Sequence, residues 1–251
     1  MTPPERLFGI IGRPLGHSFS ATYFNDKFRD EHIHAEYRKF ELPDIGDLME
    51  LLSEYTQLEG LNVTIPYKQL AIPYMDEMDP EASAIGAINV IRISWDENDE
   101  PVMKGFNTDV IGFRDSIRPL LNDDRRKALV LGTGGASKAV VYGLRSLGVE
   151  PTLVSRTPGE GMLGYADLTP EVMEEHNVIV NATPVGTYPD VDECPPIPYD
   201  LLTPAHLCYD LVYNPDPTLF LRRAAEHGAT VKSGLEMLYI QAREAWRIWN
   251  E

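Results

Sequence analysis

The chain of 251 residues is poor in cysteine, short of positive charge and without long apolar runs. Its two cysteines, Cys194 and Cys208, cannot build a disulfide framework, and they lack the CxxC spacing of a zinc site. A reducing, cytoplasmic setting is therefore expected. No apolar run reaches the roughly 18 residues of a membrane span. The first residues, MTPPERLFGIIG, carry no basic segment followed by a long apolar stretch, so no secretory signal is expected. Twenty-two Lys and Arg against 39 Asp and Glu give a net charge of −17. A surface this acidic repels nucleic acid and anionic lipid, and no compact run of Lys and Arg offers a local exception. Neither a nucleic-acid partner nor a membrane is expected. An anionic ligand must then be held by specific cations and backbone N–H groups against an unfavourable field. Internal repeats and low-complexity tracts are also missing.

What is present is the composition of a soluble globular chain, 43% apolar and 24% charged. At roughly 150 residues per domain, the length suits one large or two modest domains. Short β-type and helix-type runs alternate. The first half offers strands at 7–11, 36–42, 61–65 and 88–95. The turn WDENDE makes the last of these a hairpin with 101–106. Helices are expected at 20–31, 44–55 and 69–78. In the second, Ile45, Leu48, Leu52 and Tyr55 form one apolar stripe behind Asp44 as N-cap. In the second half, ALVLG (128–132) runs into a helix with Val140, Leu144 and Leu147 on one face and Gly148 as its stop. The runs 151–156, 178–183 and 208–213 read as continuous apolar strands of a parallel sheet buried on both faces. A last helix carries Leu238, Ala242, Ala245 and Trp249 on one stripe. Between SRT (155–157) and VIVNAT only about 20 residues intervene, too few for a full crossover helix and its connections. Only PEVMEEH looks helical there, so a shortened crossover is expected near 158–177.

The run LVLGTGGASKAV places Gly132, Gly134 and Gly135 between a strand and a helix. A sharp turn with no side chains in the way lets backbone approach a pyrophosphate, and bare N–H groups at a helix start meet its charge. Ser137 stands where GxGxxG has its third glycine. The turn alone also suits a structural loop or a methyltransferase-type loop; its position after a strand and before a helix favours a dinucleotide. The next strand ends in Ser155-Arg156-Thr157. A neutral residue followed by Arg suits a ribose 2′-phosphate, and hence NADP.

Polar clusters lie at strand ends: GHSFS (16–20), NVTIPYK (62–68), GAIN (86–89) and FNTD (106–109). Singly, each is readable as a cap, a turn or a solvated face; Ser18 and Ser20 suit a helix cap, and Asp109 the N-cap of VIGFRDSI. Together with LGTGGASKAV, SRT, VNATPVG, YDLVY and GLEMLYIQA, in this order from about residue 7 to 249, they resemble the shikimate dehydrogenase family.

The resemblance implies an NADP-dependent oxidoreductase interconverting 3-dehydroshikimate and shikimate. It implies an α/β fold: an N-terminal α/β substrate domain (1–108, completed by a C-terminal helix, 236–251, packing back on it) and a Rossmann-type domain of doubly wound parallel sheet (109–235). It implies Lys68 and Asp109 as catalytic pair. Ser18, Ser20, Asn62, Thr64, Asn89, Tyr213 and Gln241 would contact a small-molecule substrate. Gly132, Gly134, Gly135 and Ala136 would hold the pyrophosphate, Ser155, Arg156 and Thr157 the adenosine end. Thr183, Leu211, Gly234 and Met237 would line the nicotinamide side. No metal is implied, and the chain would act as a monomer or homodimer. The family's pattern is altered at Val90, where Thr is usual; at Glu236, where Gly is usual; at Val110, after NTD, where Gly is usual; and at Glu160, where a second clamp arginine is usual. A looser NADP preference is the expected consequence of the last. An NAD-using quinate/shikimate dehydrogenase and a non-catalytic nucleotide-binding regulator of the same fold are the alternative readings.

Overall fold

The computed structural model describes residues 5–16 and 19–251. The chain divides into two compact units, Met1–Thr108 with Ala242–Glu251, and Asp109–Gln241.

In the first unit the order is β1 (Arg6–Gly12), α1 (Phe19–Asp30), β2 (Ala35–Glu41), α2 (Leu48–Glu54), β3 (Leu58–Val63), α3 (Tyr67–Leu70), β4 (Glu77–Met78), α4 (Pro80–Ile85), β5 (Val90–Trp95) and β6 (Pro101–Phe106). The strands form one mixed sheet in the order β2-β1-β3-β5-β6-β4. β1 pairs in parallel with β2 and β3, while β5 runs antiparallel to both β3 and β6. Period-two alternation along β1 explains the layering. Leu7 and Ile11 face a core with Leu48, Leu52, Leu58 and Leu61. Phe8 and Ile10 face a second core with Phe24, Phe28, Ala242, Ala245 and Trp249. Ala242, Ala245 and Trp249 of the expected stripe thus close the second face of this sheet, whereas Leu238, its fourth member, belongs to the second unit. The Trp249 indole donates to Ile91 O at 3.0 Å. Gly60 makes room for it: a Cβ there would lie 2.2 Å from Nε1.

Two expectations need correction in this unit, and one element had no expectation. The helix expected over 69–78 is only the four residues of α3, a 3-10 turn at Ile72–Tyr74 and the short strand β4. Pro73 removes a backbone donor and ends the helical ladder. The strand at 61–65 lies earlier, at 58–63, so Thr64 falls just past its end. The helix α4, capped by Asp79, went unread because its apolar pattern is too short to show a period.

The second unit contains α5 (Asp109–Ile117), β7 (Lys127–Leu131), α6 (Gly135–Ser146), β8 (Glu150–Ser155), β9 (Leu163–Gly164), α7 (Pro170–Glu175), β10 (Val178–Asn181), β11 (Leu207–Asp210), α8 (Leu219–Glu226), β12 (Thr230–Ser233) and the first part of α9 (Leu235–Trp249). All pairings are parallel, in the order β12-β11-β10-β7-β8-β9. Counted from β7, this is the doubly wound order 3-2-1-4-5-6, whose switch point lies between β7 and β10. Leu129, Leu131, Ile179 and Cys208 face α8 and α7 on one side. Ala128, Val130, Val178, Val180 and Tyr209 face α5 and α6 on the other. The strands expected at 178–183 and 208–213 stop at Asn181 and Asp210. β8 departs from the expected two-faced burial: Glu150 is exposed, and Pro151, Thr152 and Leu153 are half-buried. Only the two-residue β9 shields its outer edge. Between β8 and α7 the chain forms β9 and a 3-10 turn at Tyr165–Asp167. Buried His176 ties α7 to β8, with Nδ1 on Val172 O at 2.8 Å and Nε2 on Thr152 Oγ1 at 3.2 Å. Among the described residues no helix is long and apolar enough to cross a membrane, and no group of three or more His, Cys, Asp or Glu is arranged to hold a metal ion.

Candidate active site

In the first unit, residues from separate sequence clusters join one buried polar chain. Ser20, in the first turn of α1, hydrogen-bonds the Tyr37 hydroxyl. Tyr37 Oη donates to Asn62 Oδ1 at 2.7 Å. Asn62 Nδ2 donates to Asn89 O at 3.3 Å. Asn89 Nδ2 donates to Thr108 Oγ1 at 3.0 Å, and Thr108 N donates back to Asn89 Oδ1 at 2.7 Å. Every member is buried. Burial drives the Tyr37 hydroxyl well above its ordinary pKa, so it stays a neutral donor. The ring of Tyr37 stacks on Phe24 at 4.9 Å. Asn62 sits where β3 is held between β1 and β5, opposite Ile10 and Val90. A half-solvated strand face, one reading of Asn62, does not hold for it: the residue is 5% exposed.

Lys68 stands on α3 immediately after this strand, and the backbone around it is pinned twice. Ile88 N donates to Lys68 O at 2.7 Å, and the Tyr67 hydroxyl donates to Leu42 O at 2.7 Å. Thr64 N donates to Ile11 O at 2.9 Å, and Gly12 leaves room for the Thr64 methyl, which a Cβ would approach to 2.3 Å. Asn107 Nδ2 donates to Ala87 O at 2.8 Å, so the GAIN and NTD segments are tied twice. Ser18 lies outside the described residues.

In the second unit, Asp109 is buried and is the first residue of α5 rather than the residue before it. The carboxyl ends of four strands form one register row: Leu131, Asn181, Asp210 and Ser233. The next residues, Gly132, Leu211 and Gly234, and Thr183 one further on, are therefore neighbours. A Cβ on Gly132, whose φ is +104°, would lie 2.9 Å from Thr183 Cγ2; one on Gly234 would lie 2.4 Å from Leu211 O. These glycines permit backbone contact that any side chain would block.

The glycine turn fits a dinucleotide. Space beside Gly134 is open, with nothing within 4 Å of a Cβ built there. The helix α6 starts at Gly135 and Ala136 with Gly134 as its N-cap and no side-chain cap, the kind of helix start whose N–H groups meet an anion. Ser137, in place of the third glycine, is buried and donates to Gly134 O at 2.7 Å, bracing the turn from inside. Past β8, Ser155 Oγ accepts from Thr157 N at 3.2 Å, leaving Arg156 exposed. Arg156 lies within electrostatic reach of the half-buried Tyr165 hydroxyl, which burial shifts upward and the guanidinium pulls back. Met237 packs on Gly112, and Gln241 Nε2 donates to Leu238 O at 3.0 Å. Tyr213 is half-buried, its hydroxyl shifted upward by that burial. Tyr213 and Gln241 belong to the second unit, with Asp109, whereas Ser20, Asn62, Thr64, Lys68 and Asn89 belong to the first.

Four residues of these networks escaped the sequence reading: Tyr37, Thr108, Asn181 and Asp210. The last two carried a signal, since each is the polar final residue of an apolar strand. Asp210 is fully buried. Burial pushes its carboxyl up to about 7, and hydrogen bonds from Thr218, Val212 N and Asn181 pull it back down.

A family model described as the shikimate dehydrogenase substrate-binding domain matches residues 10–91. An NADP(+) shikimate dehydrogenase of Caldanaerobacter subterraneus subsp. tengcongensis is 34% identical over 262 residues, covering 98% of this chain and 91% of that protein. The crystal structure of shikimate dehydrogenase from Aquifex aeolicus superposes with a TM-score of 0.85 at 33% identity, covering 100% of this chain and 94% of that one. A shikimate 5-dehydrogenase from Thermus thermophilus, solved with NADP(H) and shikimate, gives a TM-score of 0.82 at 32% identity, covering 97% of this chain and 93% of that one.

Proposed function

The chain belongs to the shikimate dehydrogenase family, and from that premise we propose that it interconverts shikimate and 3-dehydroshikimate with NADP. The observation that carries this reading is similarity along 98% of the chain to an enzyme of that activity. A glycine cradle and a buried hydroxyl–amide network of the right chemistry support it.

Bound NADPH supplies the hydride for the carbonyl carbon, and NADP accepts it in the reverse direction. The rest falls to this chain. Lys68 and Asp109 form the catalytic pair. In reduction, negative charge grows on the substrate carbonyl oxygen. The Lys68 ammonium offsets it and delivers the proton to that oxygen; in oxidation the same nitrogen takes the proton back. Asp109 orients the ammonium and accepts from a neighbouring substrate hydroxyl. Ser18 and Ser20 hold the substrate carboxylate with neutral hydroxyls, which orients it without adding a second cation beside Lys68. Asn62 and Thr64 contact the substrate ring or its carboxylate, and Asn89, Tyr213 and Gln241 complete the substrate side. Tyr37 donates its proton to Asn62 and so takes the single proton of Ser20; Ser20 turns that proton to the carboxylate when substrate binds, while Tyr37 keeps its bond to Asn62. Gly132, Gly134, Gly135 and Ala136 hold the pyrophosphate, and Ser155, Arg156 and Thr157 the 2′-phosphate end. Thr183, Leu211, Gly234 and Met237 line the nicotinamide side. The substrate is a small carboxylic acid, the setting is the cytoplasm, and the chain acts as a monomer or homodimer.

The test is absorbance at 340 nm with shikimate and NADP, with quinate and NAD as comparison. NADPH formation on shikimate is expected, with a Lys68→Ala drop of about a hundredfold or more in kcat. Folded Lys68→Ala enzyme turning over at the wild-type rate removes the lysine from the mechanism; activity on quinate alone moves the reading to that acid.

A further inference from the structure

The catalytic scheme leaves one buried carboxyl without a role. Asp210 ends β11, directly opposite Asn181 on β10, at the middle of the row from which the nicotinamide-side residues emerge. Three donors from three segments converge on it. Asn181 Nδ2 donates to Oδ1 at 2.9 Å, Val212 N to Oδ1 at 3.0 Å, and Thr218 Oγ1 to Oδ2 at 2.6 Å. Each partner then fixes another piece of chain. Asn181 Oδ1 accepts from Thr183 N at 3.1 Å and from Thr183 Oγ1 at 2.6 Å, and its amide also donates to Val185 O at 3.4 Å. Val212 follows Leu211, whose carbonyl lies against Gly234. Thr218 caps α8 through Leu221 N at 3.3 Å. One carboxyl therefore holds the loop after β10, the exit of β11 and the start of α8.

We propose that Asp210, acting through Asn181, is a positioning residue for the cofactor: it sets the two strand-end loops carrying Thr183 and Leu211 in the arrangement that receives the nicotinamide half of NADP. This rests on the cofactor reading above. The carboxyl is an acceptor for three donors at once, and no single neutral apolar residue replaces that. Burying a carboxylate is costly in itself. What an acid supplies is two oxygens, one shared by Asn181 and Val212 and one reserved for Thr218. That joins both cofactor loops to the rigid end of the sheet. Asparagine at 210 keeps the shared oxygen, and its amide meets Thr218 Oγ1, which has acceptor capacity to spare. The position thus needs the shared acceptor more than the charge.

The experiment compares wild type, Asp210→Ala, Asp210→Asn and Asn181→Ala. It reads NADP dissociation constants by titration without substrate, thermal unfolding midpoints, and the KM for shikimate. All binding is measured well below each variant's midpoint. NADP binding is expected to weaken about tenfold in Asp210→Ala and Asn181→Ala. It should return to within about threefold of wild type in Asp210→Asn, with the KM for shikimate unchanged throughout. Asn181→Ala cuts the Thr183 tether while leaving the Val212 and Thr218 contacts of Asp210 in place, so its result stands even where Asp210→Ala does not fold. Unaltered NADP affinity in the folded Ala variants, with only the midpoint lowered, overturns the proposal and leaves Asp210 a structural group. A wild type that binds NADP without oxidising shikimate overturns the catalytic reading while the affinity series still judges Asp210. A wild type that binds no NADP overturns both.

Discussion

At the scale of single residues, the charge balance gives each cation weight. With a net charge of −17, an anionic cofactor meets repulsion over most of the surface, and Arg156 is the exposed cation at the end of β8. Glu160, four residues on, supplies no second clamp. With Arg156 proposed to meet the 2′-phosphate, NADPH should be preferred over NADH, and Arg156→Ala should remove most of that preference, which kcat/KM with each cofactor measures. A wild-type preference for NADH would reassign Arg156 to an ordinary surface role. Asp210 makes a second residue-scale prediction. Its folded-state carboxyl is raised from the ordinary 3.8 to about 7 by burial. The folded protein thus holds the proton more tightly than the unfolded chain. The contribution to stability is full below about pH 4 and is lost as pH rises through about 7, amounting to a few kcal/mol at about 1.4 kcal/mol per pK unit. The urea midpoint of wild type relative to Asp210→Asn should fall between pH 4.5 and 7.5; a constant gap would mean that this carboxyl does not titrate there.

At the scale of elements, two glycines of the second unit make opposite demands. Gly234, between β12 and α9, faces backbone: a Cβ would lie 2.4 Å from Leu211 O and 2.8 Å from its carbonyl carbon. Backbone cannot swing aside as a side chain can, so Gly234→Ala should cost about 1–3 kcal/mol, the scale of overpacking. Gly134 has an ordinary φ of −77° and open space beside it. Gly134→Ala should leave the urea midpoint nearly unchanged while weakening NADP binding, because the methyl enters the space the pyrophosphate needs. Equal effects of both substitutions on stability and binding would argue against the cradle. Element types were mostly legible for a related reason. Period and punctuation are local, and 7–11, 101–106, 128–132 and the last helix follow them. The failures come where local signals are short or contradictory. Pro73 breaks the 69–78 pattern, β9 spans two residues and α4 six. β12 (Thr230–Ser233) has a polar composition and only its pairing with β11 makes it a strand.

At the scale of the whole molecule, each of the two units has a sheet with cores on both faces, and each carries its own share of the polar machinery. This organisation predicts separable protection in hydrogen exchange. NADP alone should slow exchange at 132–137, 183–185 and 211–213. Shikimate alone should slow it around 62–64 and 87–89. Protection by NADP confined to the first unit would contradict the assignment of the glycine turn. By itself the sequence determined the alternation of strands and helices, the glycine turn before α6 and the family, because these rest on residue order, spacing and local backbone preference. Only the tertiary structure decided that Ser20, Tyr37, Asn62, Asn89 and Thr108 share one buried network, and that Asn181 and Asp210 stand side by side at a sheet end. Those pairings join segments tens of residues apart, and strand register sets them. Register is a property of the packed sheet, in which every buried donor must find its acceptor, and no single stretch of chain encodes it.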